Sequence, residues 1–563
     1  MQACASTSEA RGKARRRTAA GLLVLAGALS GACAGELTEE DGADTRRAAA
    51  DERAAAGTGT ISADEIAQHV RVLASDEFGG RGPGTEGEEL TLAYLERQFR
   101  TLGLEPAFET GYRQPVELLE ITPDFDMVLT LGERRLDFGD DFVAWTKRQV
   151  EGVEVRDSEL VFAGYGIVAP EYGQDDYAGV DWSGKTAVVL VNDPGFATGD
   201  PARFEGHAMT YYGRWTYKYE EAARQGAEGL LIIHETAPAS YGWNVVESSW
   251  SRSQFDFERA DGRRDRAALE GWITRDEAEA LFSAAGRNLE EMKRAALEPD
   301  FRPVPLGTAA SIRITNEMAR HRSHNFAGIL KGRGQPQEQV LYLAHWDAHG
   351  TDPALDGDTI YNGAADNATG VAALLEIAEA YAALPERPRR SVVFLAVTAE
   401  EQGLLGSQYF ARHPSTATRN IVAALNMDIM SRDGSAPEAT VIGLRQSELG
   451  DYARRAAARQ GRSVRPHPSP ESGYFFRSDH FSMVRVGVPS LLFLNPGAPD
   501  SEYVREHYHR PSDEYEPDWD LTGAAEDAEL FFLLGRELAA AEEFPAWREG
   551  SRFGVIRKRD RGQ

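Results

Sequence analysis

Ser391-Val392-Val393-Phe394-Leu395-Ala396-Val397, followed by Thr398-Ala399-Glu400-Glu401, is the stretch on which the fold turns. The first seven residues form a continuous apolar run, with none of the polar alternation of a strand that has one wet face. Such a run fits a strand covered on both sides, as in a parallel sheet. Shorter runs repeat the pattern. Gln339 to Leu343 ends just before His345, Ile421 to Leu425 just before Asp428, and Pro489 to Leu494 reads as a further strand. Between them, Gly370 to Tyr381 is helical, with Leu374, Ile377 and Ala378 on one side. Strands joined by helices predict an α/β fold, a mixed, mostly parallel sheet sandwiched by helices. Sites in such sheets lie beyond the carboxyl ends of the strands, where these polar residues fall.

Five segments carry the chemistry: Ala344-His345-Trp346-Asp347, Gly363-Ala364-Ala365-Asp366-Asn367, Thr398 to Gln402, Asn426-Met427-Asp428 and Tyr508-His509-Arg510-Pro511. Imidazole nitrogen and carboxylate oxygen suit zinc. His345, Asp366, Glu401, Asp428 and His509 suffice for two ions if Asp366 bridges them. Adjacent side chains point differently, so Glu400 is free of the metal that Glu401 serves and is placed to take a proton from water. Asp347 is expected to orient His345 from behind. Tyr508, next to a ligand, is placed to donate to the oxyanion of a tetrahedral intermediate. Singly, each motif is commonplace on protein surfaces. Their specificity lies in the set, since every member follows an apolar strand or sits in a Gly or Pro loop.

At 563 residues the chain exceeds one ordinary core. Its formal charge of −28 argues against nucleic acid as a partner and fits a solubilising surface. Residues 1–32 read as an export signal: a basic segment (Lys13, Arg15, Arg16, Arg17), an apolar stretch from Thr18 to Ala32, then Cys33. Small residues before a cysteine resemble a bacterial lipoprotein signal. The expectation is a lipid-anchored protein of the bacterial cell envelope that touches the membrane through its anchor alone. The only other cysteine is Cys4, so no disulfide framework is expected.

Residues 33–60 have little to bury and read as a linker. Ser62 with Glu65, and Thr85 with Glu88, each read as a capping box opening a helix, around the Gly-rich loop Gly79 to Gly84. Residues 61–122 and 311–545 then form the α/β domain, and 123–310 an insert of β-rich texture. The loops of that insert are aromatic (Tyr211, Tyr212, Trp215, Trp243, Trp250). Residues 546–563 read as a basic, unpatterned tail.

The stretches Ala344–Asp347, Asn362–Gly370, Ala399–Ser407, Asn426–Asp428, Ser478–Phe481 and Tyr508–Pro511 resemble peptidase family M28. Gly164-Tyr165-Gly166, Asp181 to Lys185 and Ala222 to Ala227 are similar to the protease-associated domain inserted into such peptidases. The resemblance implies a zinc exopeptidase fold, two zinc ions and peptide substrates with a free N-terminus. It implies that His345, Asp366, Glu401, Asp428 and His509 ligate, that Glu400 is the base and that Tyr508 is the oxyanion donor. Asp479 and His480 are placed behind the ligands or in the pocket wall, and His349 and His507 in loops. Trp346 stands where Tyr is usual, and Ala365 where a second Asp often precedes the bridging one. The reading is an aminopeptidase. The alternatives are a glutaminyl-peptide cyclotransferase of the same fold with one zinc, and a non-catalytic receptor-like module. The intact donor set argues against the module.

Overall fold

The computed structural model describes residues 59–495 and 501–562. The signal segment, the linker before residue 59 and Cys33 lie outside the described residues.

Four parallel strands form the centre of the sheet, in the order Arg390–Val397, Gln335–His345, Ile421–Asp428, Ser490–Leu494. Antiparallel neighbours close its edges: Val304–Leu330 against Arg390–Val397, and Glu438–Ile442 against Ser490–Leu494. Three of these strands are buried from end to end, and Gln335–His345 is buried from Gln339 onward. Side chains alternate faces with period two. Val340, Tyr342 and Ala344 enter one core with Leu374, Ile377 and Phe531, whereas Leu341 and Leu343 enter another with Phe410, Met483 and Val488. Apolar residues on both faces are therefore what this strand requires. Helices Ala63–Leu73, Thr369–Ala382 and Thr522–Ala540 pack together over the first face.

Register aligns the strand ends. His345 lies opposite Val397, and Asp428 opposite Leu494. The polar residues that follow each strand thus emerge at one edge of the sheet.

A second sheet grows from the first. The strand Val304–Leu330 is 27 residues long and belongs to both. It pairs with Gly152–Phe162 as far as Thr315, then with Arg113–Pro123 from Asn316, then with Arg390–Val397. The second sheet holds the parallel strands Lys185–Leu190, Gly229–Ile233 and Leu269–Ile273, with aromatic-rich cores of its own. Gln254–Phe257, from the same stretch of chain, pairs back onto Arg113–Pro123.

Two local expectations need correction. Thr85 does not cap its helix. Its hydroxyl donates to the Gly82 carbonyl at 2.7 Å, and Glu88 instead accepts from Gly84 N at 2.6 Å and pairs with His324 Nδ1 at 2.8 Å. The half-buried His324 draws the buried Glu88 away from the local motif. The basic tail is not unpatterned: it forms a helix, Arg552–Asp560, with Phe553 and Arg557 buried. Arg557 donates to the carbonyls of Thr418 (2.9 Å) and Ile421 (2.5 Å).

Ser62 makes half of its capping box. Its hydroxyl accepts from Glu65 N, while its own N–H donates to Glu376 Oε2 at 2.9 Å. Glu376 is buried on the helix Thr369–Ala382, and burial pushes its carboxyl up to about 8. Its folded pKa thus lies above its unfolded one, so the folded state holds the extra proton. That contribution is complete below pH ~4.5 and is lost as pH rises through about 8. Glu376→Gln, which keeps the acceptor and never ionises, is expected to melt several degrees higher than wild type at pH 8.5. The margin should vanish at pH 4.5, with thermal unfolding monitored by circular dichroism.

Candidate metal centre

His345 ends its strand with a side chain only 1% exposed. Its Nδ1 donates to the Asp347 carbonyl oxygen at 3.1 Å, which fixes the tautomer and leaves Nε2 with a free lone pair. That buried Nε2 makes no well-directed hydrogen bond to the protein. It lies 3.2 Å from Asp366 Oδ1 and 3.6 Å from Asp428 Oδ1. On the other side, His509 Nε2 lies 3.5 Å from Asp366 Oδ2 and 3.3 Å from Glu401 Oε2. The two oxygens of Asp366 therefore serve two separate donor groups: His345 and Asp428, His509 and Glu401. Donors about 2.0–2.2 Å from a tetrahedral zinc stand roughly 3.3–3.6 Å from each other, which these separations match. The donor types and spacings present fit zinc.

His345, Asp366, Glu401 and Asp428, or the backbone that carries them, are held from behind. The Asp347 carboxylate accepts from the backbone N–H groups of Glu400 (3.2 Å) and Glu401 (3.4 Å). It thus orients the Glu400–Glu401 turn, while the backbone of the same residue orients His345. Asp513, four residues after His509, accepts from the N–H groups of Ala365 and Asp366, both at 3.0 Å. Asn367 ties the same loop to the neighbouring strand through Met427 O and Ile429 N. Ser478 Oγ donates to Asp428 Oδ2 at 2.7 Å and accepts from Asn426 Nδ2. Arg81, buried in the Gly-rich loop, donates to the carbonyls of Leu73, Trp346, Asn362 and Gly363. It locks the N-terminal segment to the loops carrying His345 and Asp366. Ala399, Ile429 and His509 are non-glycine residues in left-handed conformation, at φ +51°, +50° and +59°. They sit beside or within the donor set, where such backbone strain tends to concentrate.

The pocket is strongly acidic. Burial pushes the carboxyls of Glu400 and Glu401 well up, reinforced by neighbouring carboxylates. Burial likewise raises Asp347 to about 6, Asp513 to about 6 and Asp479 to about 7. Burial would raise Asp366 too, but His345 and His509 outweigh it and hold it far below the usual range. Burial works to lower His345, and the carboxylates of Asp366 and Asp428 overcome it. Metal cations would supply the missing positive charge.

The remaining candidates fall as follows. Tyr508 stacks on His509 with ring centroids 3.8 Å apart, and burial keeps its hydroxyl protonated as a donor. Asp479 is fully buried and adds like charge against Glu400. His480 packs on Phe475, and burial lowers its pKa to about 3, so it serves the wall as a neutral ring. His507 bonds only its own loop, at Ser512 O.

Sequence reasoning missed Arg81, Asp513 and His349. His349 lies in a loop as expected, yet its Nε2 reaches Glu401 Oε2 at 3.3 Å. Asp513 left one signal, its place just after Tyr508–Pro511. Arg81 left none, because nothing in a Gly-rich loop announces four distant carbonyls.

Fold and donor set together make this a candidate zinc centre. Residues 325–533 match the profile of Peptidase family M28. A probable zinc metalloprotease of Pyrenophora teres f. teres is 38% identical over 32% of this chain and 39% of its own length. The aminopeptidase NAALADL1 of Mus musculus is 32% identical over 37% of this chain and 27% of its own. The chain thus spans well under half the length of these curated relatives. The aminopeptidase from Aneurinibacillus sp. strain AM-1 superimposes with a TM-score of 0.53 at 20% identity, covering 87% of this chain and 97% of that one. It shares the fold.

Asp513→Asn is expected to weaken zinc uptake about tenfold or more, because an amide offers one acceptor where two N–H groups and the Tyr503 hydroxyl now converge. Zinc content after dialysis against graded chelator measures it.

Proposed function

We propose that this chain is a two-zinc exopeptidase, an aminopeptidase that removes N-terminal residues from peptides. The observation that carries the reading is the divergence of Asp366, with Oδ1 toward His345 and Oδ2 toward His509. That geometry favours two ions over the single one of the cyclotransferase alternative. Bound zinc supplies Lewis acidity, acidifying water and polarising the scissile carbonyl. Glu400 belongs to neither donor group. It takes the proton of the attacking water and returns it to the leaving amine. The Tyr508 hydroxyl donates to the developing oxyanion. Carboxylates beyond the donor set, Glu400 and Asp479 among them, leave a negative field that suits a protonated amino terminus.

The stretch 123–310 is read as a protease-associated domain that shapes the cleft. A cavity of about 260 Å³ supports this, walled by Tyr211 and Tyr212 from that stretch and by Tyr474, Phe475 and Phe476 from the peptidase part. None of the carboxylates of the centre lines it. The protein is further read as exported and held at the bacterial cell envelope by a lipid on Cys33. Among the described residues no helix is long and apolar enough to cross a membrane.

Purified protein is expected to carry two zinc ions per chain by metal analysis and to release amino acids from anilides with a free amino group but not from acetylated ones. One zinc with full activity, or pyroglutamyl product, would return the assignment to the cyclotransferase. Glu400→Gln is expected to lower kcat at least ~10²-fold with zinc content unchanged, since an amide cannot accept the proton; near-normal turnover would place the base elsewhere. Cys33→Ser is expected to move the protein from the membrane fraction to the soluble one, and persistence on salt-washed membranes would refute the anchor.

A further inference from the structure

His349 is the third imidazole of the pocket, and its two nitrogens face different partners. Arg252 Nη1 lies 3.5 Å from Nδ1, and Glu401 Oε2 lies 3.3 Å from Nε2. The side chain is 10% exposed, and its ring stands edge-on to His509 with centroids 4.6 Å apart. At first sight His349 is one more metal ligand, since it groups with Glu401 and His509.

The donor pattern decides otherwise. A guanidinium has donors only, so Arg252 must give and Nδ1 must accept. A neutral imidazole that accepts at Nδ1 carries its proton on Nε2. Nε2 then carries a proton and has no lone pair for a metal; it lies 3.3 Å from Glu401 Oε2, a close polar contact without the alignment of a hydrogen bond. His345 shows the opposite arrangement: its Nδ1 donates to a carbonyl and its Nε2 stays free. The same residue type is thus set to two tautomers within one pocket, one suited to bind a metal and one suited to hold a carboxylate.

Arg252 follows the helix Trp243–Trp250 and belongs to the second sheet's part of the chain. Its Nε donates to Ser248 O at 3.1 Å, which anchors the guanidinium to that helix.

We infer that Arg252 and His349 form a positioning pair through which the inserted part of the chain holds the metal-binding carboxylate of Glu401 in place. The inference rests on the two-zinc reading and adds to it a role for the insert in metal retention. A carboxylate ligand flanked by an outer N–H at 3.3 Å loses rotational freedom and presents one oxygen in a fixed direction. Separating Arg252 from His349 would free the tautomer and let Glu401 swing.

The test is zinc affinity of the full chain, by competition with a chromophoric chelator, alongside the absorption spectrum of the cobalt-loaded protein. Arg252→Ala and His349→Ala are expected to weaken one of the two sites about tenfold or more and leave the other unchanged. His349→Gln, whose amide N–H replaces the Nε2 donor, is expected to stay within about threefold of wild type with an unaltered cobalt spectrum. Wild-type affinity in Arg252→Ala would overturn the pair. So would a His349→Gln variant that loses as much as His349→Ala with a changed cobalt spectrum, since His349 would then be a direct ligand. Wild-type protein that takes up no zinc would overturn the metal reading and the pair together. Wild type with two zinc ions and variants that match it would overturn the pair alone.

Discussion

Crowding carboxylates into a pocket away from water is costly unless positive charge joins them. Asp347, Asp366, Glu401, Asp428 and Asp513 are all buried at one edge of this sheet, with His345 and His509 interleaved. Arg81 is a buried guanidinium close to them, and it is engaged by four carbonyls. The surrounding structure serves to hold this unbalanced charge in a fixed geometry. Parallel register brings the strand ends level, and Asp347, Ser478 and Asp513 each direct their hydrogen bonds to a donor or to the loop that carries one. Such a framework stores repulsion that two divalent cations would relieve.

The division of the chain follows from one strand. Val304–Leu330 leaves the second sheet and enters the first without a break, so the two parts share backbone hydrogen bonds as well as side-chain contacts. A part joined this way cannot drift freely against the metal centre. That rigidity lets Arg252 meet His349 and lets Tyr211 and Tyr212 face Tyr474 across a cavity.

Much of this was legible in the sequence. Buried parallel strands need apolar residues on both faces, so Ser391 to Val397 and its counterparts announced themselves and put His345, Glu400 and Asp428 at strand ends. The candidate donors could be picked out because zinc chemistry restricts residue type, and the fold brings His345, Asp366, Glu401, Asp428 and His509 together. The outer contacts were not. Asp513 works through backbone N–H groups nearly 150 positions away, and Arg81 through carbonyls up to 282 positions away. No local pattern encodes a bond between parts that meet only on folding. Asp347 was read as the support of His345, yet its carboxylate holds the Glu400–Glu401 turn. Sequence spacing shows that two residues are near, not which atom of each is used. The failed cap at Thr85 has the same origin, since its partner Glu88 is drawn to His324 across the fold.

The central claim is that Asp366 bridges two zinc ions. Crystals of the zinc-loaded protein, with diffraction recorded on both sides of the zinc absorption edge, test it most directly. The account predicts two anomalous peaks flanking Asp366, one in contact with His345 and Asp428 and the other with His509 and Glu401. A single peak, or a second one away from Asp366, would contradict it.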